Sequence, residues 1–113
     1  MSRGDRGAAS LFAVSCLALL LVLGAALGVV AAMVRAHRMA SAAADLAALA
    51  AASALQRGGD PCAAAGEIAD ANGASVATCQ VTGPDVLVGV TVPGPDWLGP
   101  DVDLPGTARA GPR

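Results

Sequence analysis

A chain of 113 residues has room for one small domain, and 55% of it is hydrophobic with a single Phe, a single Trp and no Tyr. A core without aromatics buries little area per residue, so a compact soluble globule explains this composition poorly, and contact with lipid or with other helices explains it better. The net charge of −2 hides a split, five Arg against two Asp in residues 1–57 and seven acids against two Arg in 58–113; neither half has the basic patch with interleaved aromatics that nucleic-acid binding requires.

Residues 1–7 are a short polar head carrying Arg3, Asp5 and Arg6. From Ala8 to Val34 no residue is charged, and only Ser10 and Ser15 are conventionally polar. A bilayer core takes about 20 apolar residues, so 8–34 is long enough to cross it with some tilt. The same stretch is open to a second reading, a cleavable signal peptide with small residues at Gly24-Ala25-Ala26 or Val30-Ala31-Ala32. Its apolar run is nearly twice the usual length of a signal's hydrophobic region, roughly 7 to 15 residues, which favours retention. Cys16 has too few apolar residues before it for a lipoprotein signal and reads as a small thiol within the membrane helix.

Nothing stops the helix where the span ends. Arg35, His37 and Arg38 follow, but no Gly or Pro occurs from Val29 to Arg57, and alanine, the best helix former, fills over half of residues 31–54. Taken as one helix, Leu11 to Gln56 would be roughly 70 Å long at 1.5 Å per residue, so residues 35–57 are expected to project from the bilayer as an Ala-rich stalk. Small residues recur at every fourth position through Gly24, Gly28, Ala32, Ala36, Ala40, Ala44, Ala48 and Ala52. An i+4 track drifts by about 40° per step and is not one straight seam. What it leaves is a helix with little bulk on much of its surface. Gly24 and Gly28 form a GxxxG pair, and together with Ala32 and Ala36 they are candidate helix-packing positions.

Residues 58–93 predict a small extracytoplasmic α+β domain. Gly58-Gly59 ends the long helix, Asp60 is placed to cap a second one, and Pro61 suits its first position. That helix is expected to run from Pro61 to about Ala71 and stop at Asn72-Gly73. Ser75–Val81 and Asp85–Val92 read as two strands joined by Thr82-Gly83-Pro84. In the second, Val86, Val88, Val90 and Val92 alternate with Leu87, Gly89 and Thr91, the pattern of a strand with one buried face. A two-stranded hairpin alone is marginal, which leaves pairing with a neighbouring subunit, a homo-oligomer included, as an open alternative. Pro93-Gly94-Pro95 ends the hairpin, and 94–113 is expected to be an extended, loosely held Pro/Gly-rich tail.

Cys62 and Cys79 both lie in the C-terminal part. They are either bonded to each other or two independent reduced thiols, since connectivity does not follow from sequence. Basic residues flank both ends of the span, so the positive-inside count is close to a tie. A bonded pair breaks it, because paired cysteines in a small domain favour an oxidising compartment. That puts the N-terminus in the cytoplasm and the small domain outside. A Cys62–Cys79 bridge would also staple the second helix to the first strand, worth on the order of 3 kcal/mol for a loop of this length.

Residues able to carry chemistry are few. His37 is the only histidine and sits between arginines at the expected membrane surface. Two cysteines without a nearby histidine make a poor zinc site, and no serine has a histidine partner for a hydrolase triad. Asp96, Asp101 and Asp103 follow no calcium-loop pattern, and Trp97 reads as a packing residue over the hairpin. No enzyme, cofactor or metal is expected.

One stretch has a recognisable order. Arg6-Gly7-Ala8, the apolar span, the basic turn Arg35–Arg38 and then Ala43-Ala44-Asp45-Leu46-Ala47-Ala48-Leu49-Ala50-Ala51 together resemble the N-terminal signature of TadE/TadG-like proteins, components of the tight-adherence (Flp-type) pilus assembly system. It also resembles the short TadE-like proteins named for a helicase and secretion gene neighbourhood, which share a small cysteine-containing tail. The resemblance implies a non-catalytic, pilin-like or accessory part, anchored by its N-terminal helix and packing against lipid and other envelope assembly proteins. Pseudopilins of such systems are processed after a Gly and carry a Glu five residues beyond it. Cleavage after Gly7 would put Phe12 at that place, and the first Glu is Glu67. A permanently anchored accessory component fits that departure better than a filament subunit. The alternative outside this class is a soluble secreted binding module released by signal cleavage. The fold expected on either reading is α+β, a long N-terminal helix followed by one short helix and a β-hairpin.

Overall fold

The computed structural model describes residues 3–95, 97 and 102–112. Its elements are α1 (Arg3–Gln56), α2 (Pro61–Ala71), β1 (Ser75–Thr82), β2 (Asp85–Pro93) and β3 (Asp103–Ala110). The chain divides into two units, residues 1–32 and 33–113. In the first, α1 is a lone helix with every described side chain exposed up to Ala31, including Leu11, Phe12, Leu20, Leu21 and Leu27.

The second unit is α+β. Its sheet is an antiparallel meander in the order β1-β2-β3, with β2 in the centre. Val86, Val88, Val90 and Val92 alternate along β2 and are buried on one face, as their period of two requires. Against that face lie Ala40, Ala43, Ala44, Ala47, Ala48 and Ala51 of α1 and Ala65 and Ala69 of α2, all in one cluster with the valines. Alanine and valine are the two halves of this core. The helix gives up side-chain bulk, so its backbone comes close to the sheet, and the sheet supplies the branched apolar volume.

Both helices stop in the same way. The N–H of Gly59 donates to the carbonyl of Ala54 and that of Gly58 to Leu55. At the end of α2, Ala74 donates to Ala69 and Gly73 to Asp70. This is the paired 6→1 and 5→2 pattern of a Schellman motif, and its left-handed residue is Gly58 (φ 79°) in one case and Gly73 (φ 71°) in the other. The start of α2 is capped as the sequence suggests: an Asp60 carboxylate oxygen accepts from the N–H groups of Cys62 (3.1 Å) and Ala63 (3.2 Å), with Pro61 in the first turn.

Two expectations are corrected. Residues 103–110, read as part of a loosely held tail, form β3 and pair with β2 from Val86↔Ala110 to Pro93↔Asp103. The strand that a bare hairpin lacks comes from the same chain rather than from a neighbour. Residues 35–57, read as a free stalk beside a separate domain, contribute the helical half of that domain's core. The spacing 40, 43/44, 47/48, 51 puts those alanines on one helix face, and that face is the buried one. Met1, Ser2, Asp96, residues 98–101 and Arg113 lie outside the described residues.

Candidate functional site

The residues singled out in the sequence fall on three surfaces. Arg6, Gly7 and Ala8 lie in the first turns of α1, exposed, with no break in the helix at Gly7. Gly24 and Gly28 are also exposed, and a Cβ built at either would have no atom within 4 Å. That stretch of backbone is bare, the local condition for close approach of another helix. Ala32 and Ala36 are half-buried.

The Ala-Ala-Asp-Leu-Ala-Ala-Leu-Ala-Ala stretch is split by the helix period. Ala43 and Ala44 are buried with Ala47, Ala48 and Ala51, whereas Asp45, Leu46 and Leu49 point outward, with Leu49 61% exposed. The motif therefore has two jobs that its composition does not separate. Its alanines hold α1 to the sheet, and its Asp and Leu residues shape the outer face of the helix.

Cys62 and Cys79 are bonded, with Cα atoms 5.9 Å apart across a separation of 17 residues. Cys79 pairs with Val88 and faces the helices, so the bridge ties the first turn of α2 to the middle of β1. Cys16 is a free thiol exposed on α1. Asp85 and Arg109 form an ion pair on the open side of the sheet, Nη2 to Oδ2 2.7 Å, joining the start of β2 to the end of β3. Asp45 and His37 are exposed on α1.

One residue of consequence escaped the sequence reading. Gly106 of β3 is buried, and a Cβ there would run into the backbone carbonyl of Ala40, with Ser41 N at 3.0 Å. The strand lies directly under the helix at this point. The signal was present but weak: Leu104, Gly106, Ala108 and Ala110 alternate with Asp103, Pro105, Thr107 and Arg109, and the alternation is hidden by Pro105 and by the absence of β-branched residues other than Thr107. Trp97, expected to pack over the hairpin, is 56% exposed.

α1 is the one helix among the described residues that is long and apolar enough to cross a membrane. Comparison with characterised proteins and with solved structures gives no match. Among family models, the Flp pilus-assembly TadE/G-like model matches residues 7–54, which cover the apolar stretch and the alanine face packed on the sheet but neither α2 nor the sheet itself. Residues 7–54, somewhat less than half of the chain, are thus similar to the TadE/G-like Flp pilus-assembly family.

Proposed function

We propose that the protein is a non-catalytic, single-pass membrane component of a tight-adherence pilus or a related secretion-like apparatus, with its N-terminus in the cytoplasm and residues 35–113 outside. The observation that carries this reading is α1 itself. One uninterrupted helix bears an apolar stretch with exposed Leu, Val and Phe side chains on every side and then enters the core of a disulfide-bonded domain. Exposed apolar surface of that extent is costly in water and natural in lipid. The Cys62–Cys79 bridge supports the outside position of the domain, since such bonds persist in oxidising compartments.

In this role α1 works by contact. Gly24 and Gly28 offer another membrane helix a close approach, continued by Ala32 and Ala36, and the partners are other envelope assembly proteins or a second copy of this chain. Phe12 in place of the Glu that accompanies Gly-directed processing makes it an accessory part that keeps its anchor. The experiment is the intact mass of the native chain from fractionated cells, with thiol labelling before and after reduction. A full-length or Gly7-processed chain in the membrane, with Cys62 and Cys79 labelled only after reduction, is the expected result.

A second reading has its own observation. Every buried core residue lies at Ala40 or beyond, and the compact second unit begins at Met33, directly after Val30-Ala31-Ala32. A chain cut at that point would keep its whole core and leave as a soluble module. A soluble form starting at Leu27 or Met33 would establish this reading and exclude the anchor.

A further inference from the structure

The sheet of the second unit has two outer edges, and they are built differently. β3 carries Asp103, Pro105 and Arg109 among its residues. Charge and proline guard a sheet edge against further pairing, and a proline inside an edge strand turns its nitrogen outward, where it offers no donor. β1, Ser-Val-Ala-Thr-Cys-Gln-Val-Thr, has neither charge nor proline, and all of its residues except Val76 and Cys79 are exposed. Among the described residues, no side chain or loop bonds to its outer backbone groups. One edge is guarded and the other is open.

The open edge has an internal symmetry. The register shifts between Val76 and Thr78, which leaves Thr78–Thr82 as the regular segment of β1. Thr82↔Asp85 closes the two-residue turn Gly83-Pro84, with Gly83 at φ 61°. Backbone direction alternates from that closing pair, so Thr82 and Gln80 aim their N–H and C=O groups at β2, and Val81 and Cys79 aim theirs at the open edge. Side chains alternate as well. Cys79 and Val81 stand opposite Val88 and Val86 on the helix side, whereas Thr78, Gln80 and Thr82 share the other face. Thr78-Cys79-Gln80-Val81-Thr82 thus reads the same from either end in what it presents: threonine outermost, an edge-facing backbone next, and glutamine at the centre.

We propose that β1 pairs with β1 of a second copy of this chain, antiparallel and centred on Gln80, joining the two sheets into one. A two-fold axis through Gln80 and perpendicular to the sheet sets Thr78 opposite Thr82 of the second copy and Cys79 opposite its Val81. The edge-facing N–H and C=O groups of Cys79 and Val81 then bond to each other on both sides of the axis. Threonine pairs across strands are favourable, and no charge meets its like because the segment has none. The same patch is used twice, so the contact closes at a dimer. The alternative join, β1 on the β3 edge of another copy, would continue without end, and Asp103, Pro105 and Arg109 oppose it. Cys62–Cys79 holds the middle of the segment to α2, so the strand is ordered before it pairs and little conformational entropy is lost. The contact makes no use of α1 and stands apart from the anchored reading.

Distances between spin labels test the contact and its register. The full-length, oxidised chain is prepared in excess detergent with Cys16→Ser, and a nitroxide is attached at Gln80→Cys, Thr82→Cys or Thr107→Cys in turn. Opposed labels at 80 should lie about one strand spacing apart at their backbones, roughly 5 Å. Labels at 82 are separated by one spacing and four residue rises, roughly 14 Å, and labels at 107 by five spacings, at least roughly 24 Å. The expected result is coupling in that order, lost on dilution with unlabelled chain. Gln80→Lys sets like charges face to face and should abolish the coupling at 82 while the circular dichroism spectrum stays unchanged. A monomer at every concentration overturns the proposal. So does a dimer without coupling at 80 and 82, which places the contact elsewhere, α1 included. Coupling at 82 that survives Gln80→Lys, or open-ended oligomers with 80 close to 107, overturns it as well.

Discussion

Adding one methyl group at residue 106 tests how β3 is held. Gly106→Ala would drive a Cβ into the carbonyl of Ala40 and close to Ser41 N, so either the strand or the helix must move. The obstacle is backbone on both sides, with no flexible side chain to swing away. Overpacking of this kind costs about 1–3 kcal/mol. Replacing Gly by Ala also lowers the entropy of the unfolded chain, which returns roughly 0.4–1 kcal/mol. The clash wins, leaving a net loss of about 1–2 kcal/mol. For a domain of this size each kcal/mol lowers Tm by roughly 4–8 °C, so the expected fall is on the order of 4–16 °C. The assay is thermal unfolding of the full-length, oxidised chain followed by circular dichroism, with Thr107→Ala, an exposed neighbour on the same strand, as the control. A Gly106→Ala protein that melts with the wild type would refute the helix–strand contact.

Three further outcomes follow from the same structure. Gly66→Ala should act in the opposite sense to Gly106→Ala, raising stability by about 0.5–1 kcal/mol, because Gly66 lies inside α2 and a Cβ there would have no atom within 4 Å; a fall in Tm would show that the space around α2 is not open. Reducing Cys62–Cys79, or replacing both by Ser, should cost about 3 kcal/mol by loop-closure entropy, read as a shift of the unfolding midpoint with and without reductant. Arg109→Ala, by contrast, should change stability by less than about 1 kcal/mol, because the Asp85–Arg109 pair is surface-exposed and screened; a large drop in chemical-denaturation midpoint would mean that the pair carries structural weight its exposure does not suggest.

The parts of the fold that were legible in the sequence are those with a single local cause. Asp60-Pro61 starts a helix because a carboxylate reaches the free N–H groups of its first turn, and Gly58 and Gly73 end helices because they accept positive φ. The β2 valines alternate because one face is buried. β3 was not legible, because three of its four inward positions, Gly106, Ala108 and Ala110, are small residues, and Gly106 is required by a helix that lies elsewhere in the sequence. Gly106 looks like a turn residue until Ala40 is set against it. The alanine run of residues 40–54 was ambiguous for the same reason. Alanine spacing shows a helix that something approaches closely, and only the tertiary structure says that the approaching surface is the chain's own sheet rather than another helix.

That ambiguity bears on the anchor. Most alanines of α1 from Ala40 on are buried in the core of the second unit and are not free to pack against partner helices. On the proposed reading, helix–helix contact is left to Gly24 and Gly28, which stand bare, and to the outward Leu46 and Leu49 on the other side of the buried face. The two candidate surfaces differ in what drives association. At Gly24 and Gly28 the lipid is as apolar as any partner, so contact must come from close backbone packing, and one added methyl group at either glycine should weaken it. At Leu46 and Leu49 the surroundings are aqueous, and burial of two leucines, about 1.5–3 kcal/mol each, is the driving term. Crosslinking of membrane-embedded chains with cysteines introduced beside each surface separates the cases. Gly24→Ala with Gly28→Ala should abolish contacts within the span and spare those beside Leu46. Leu46→Ser with Leu49→Ser should do the reverse. Loss of all contacts in both double variants would show that the two surfaces engage one partner cooperatively, and loss in neither would remove α1 as the interaction element.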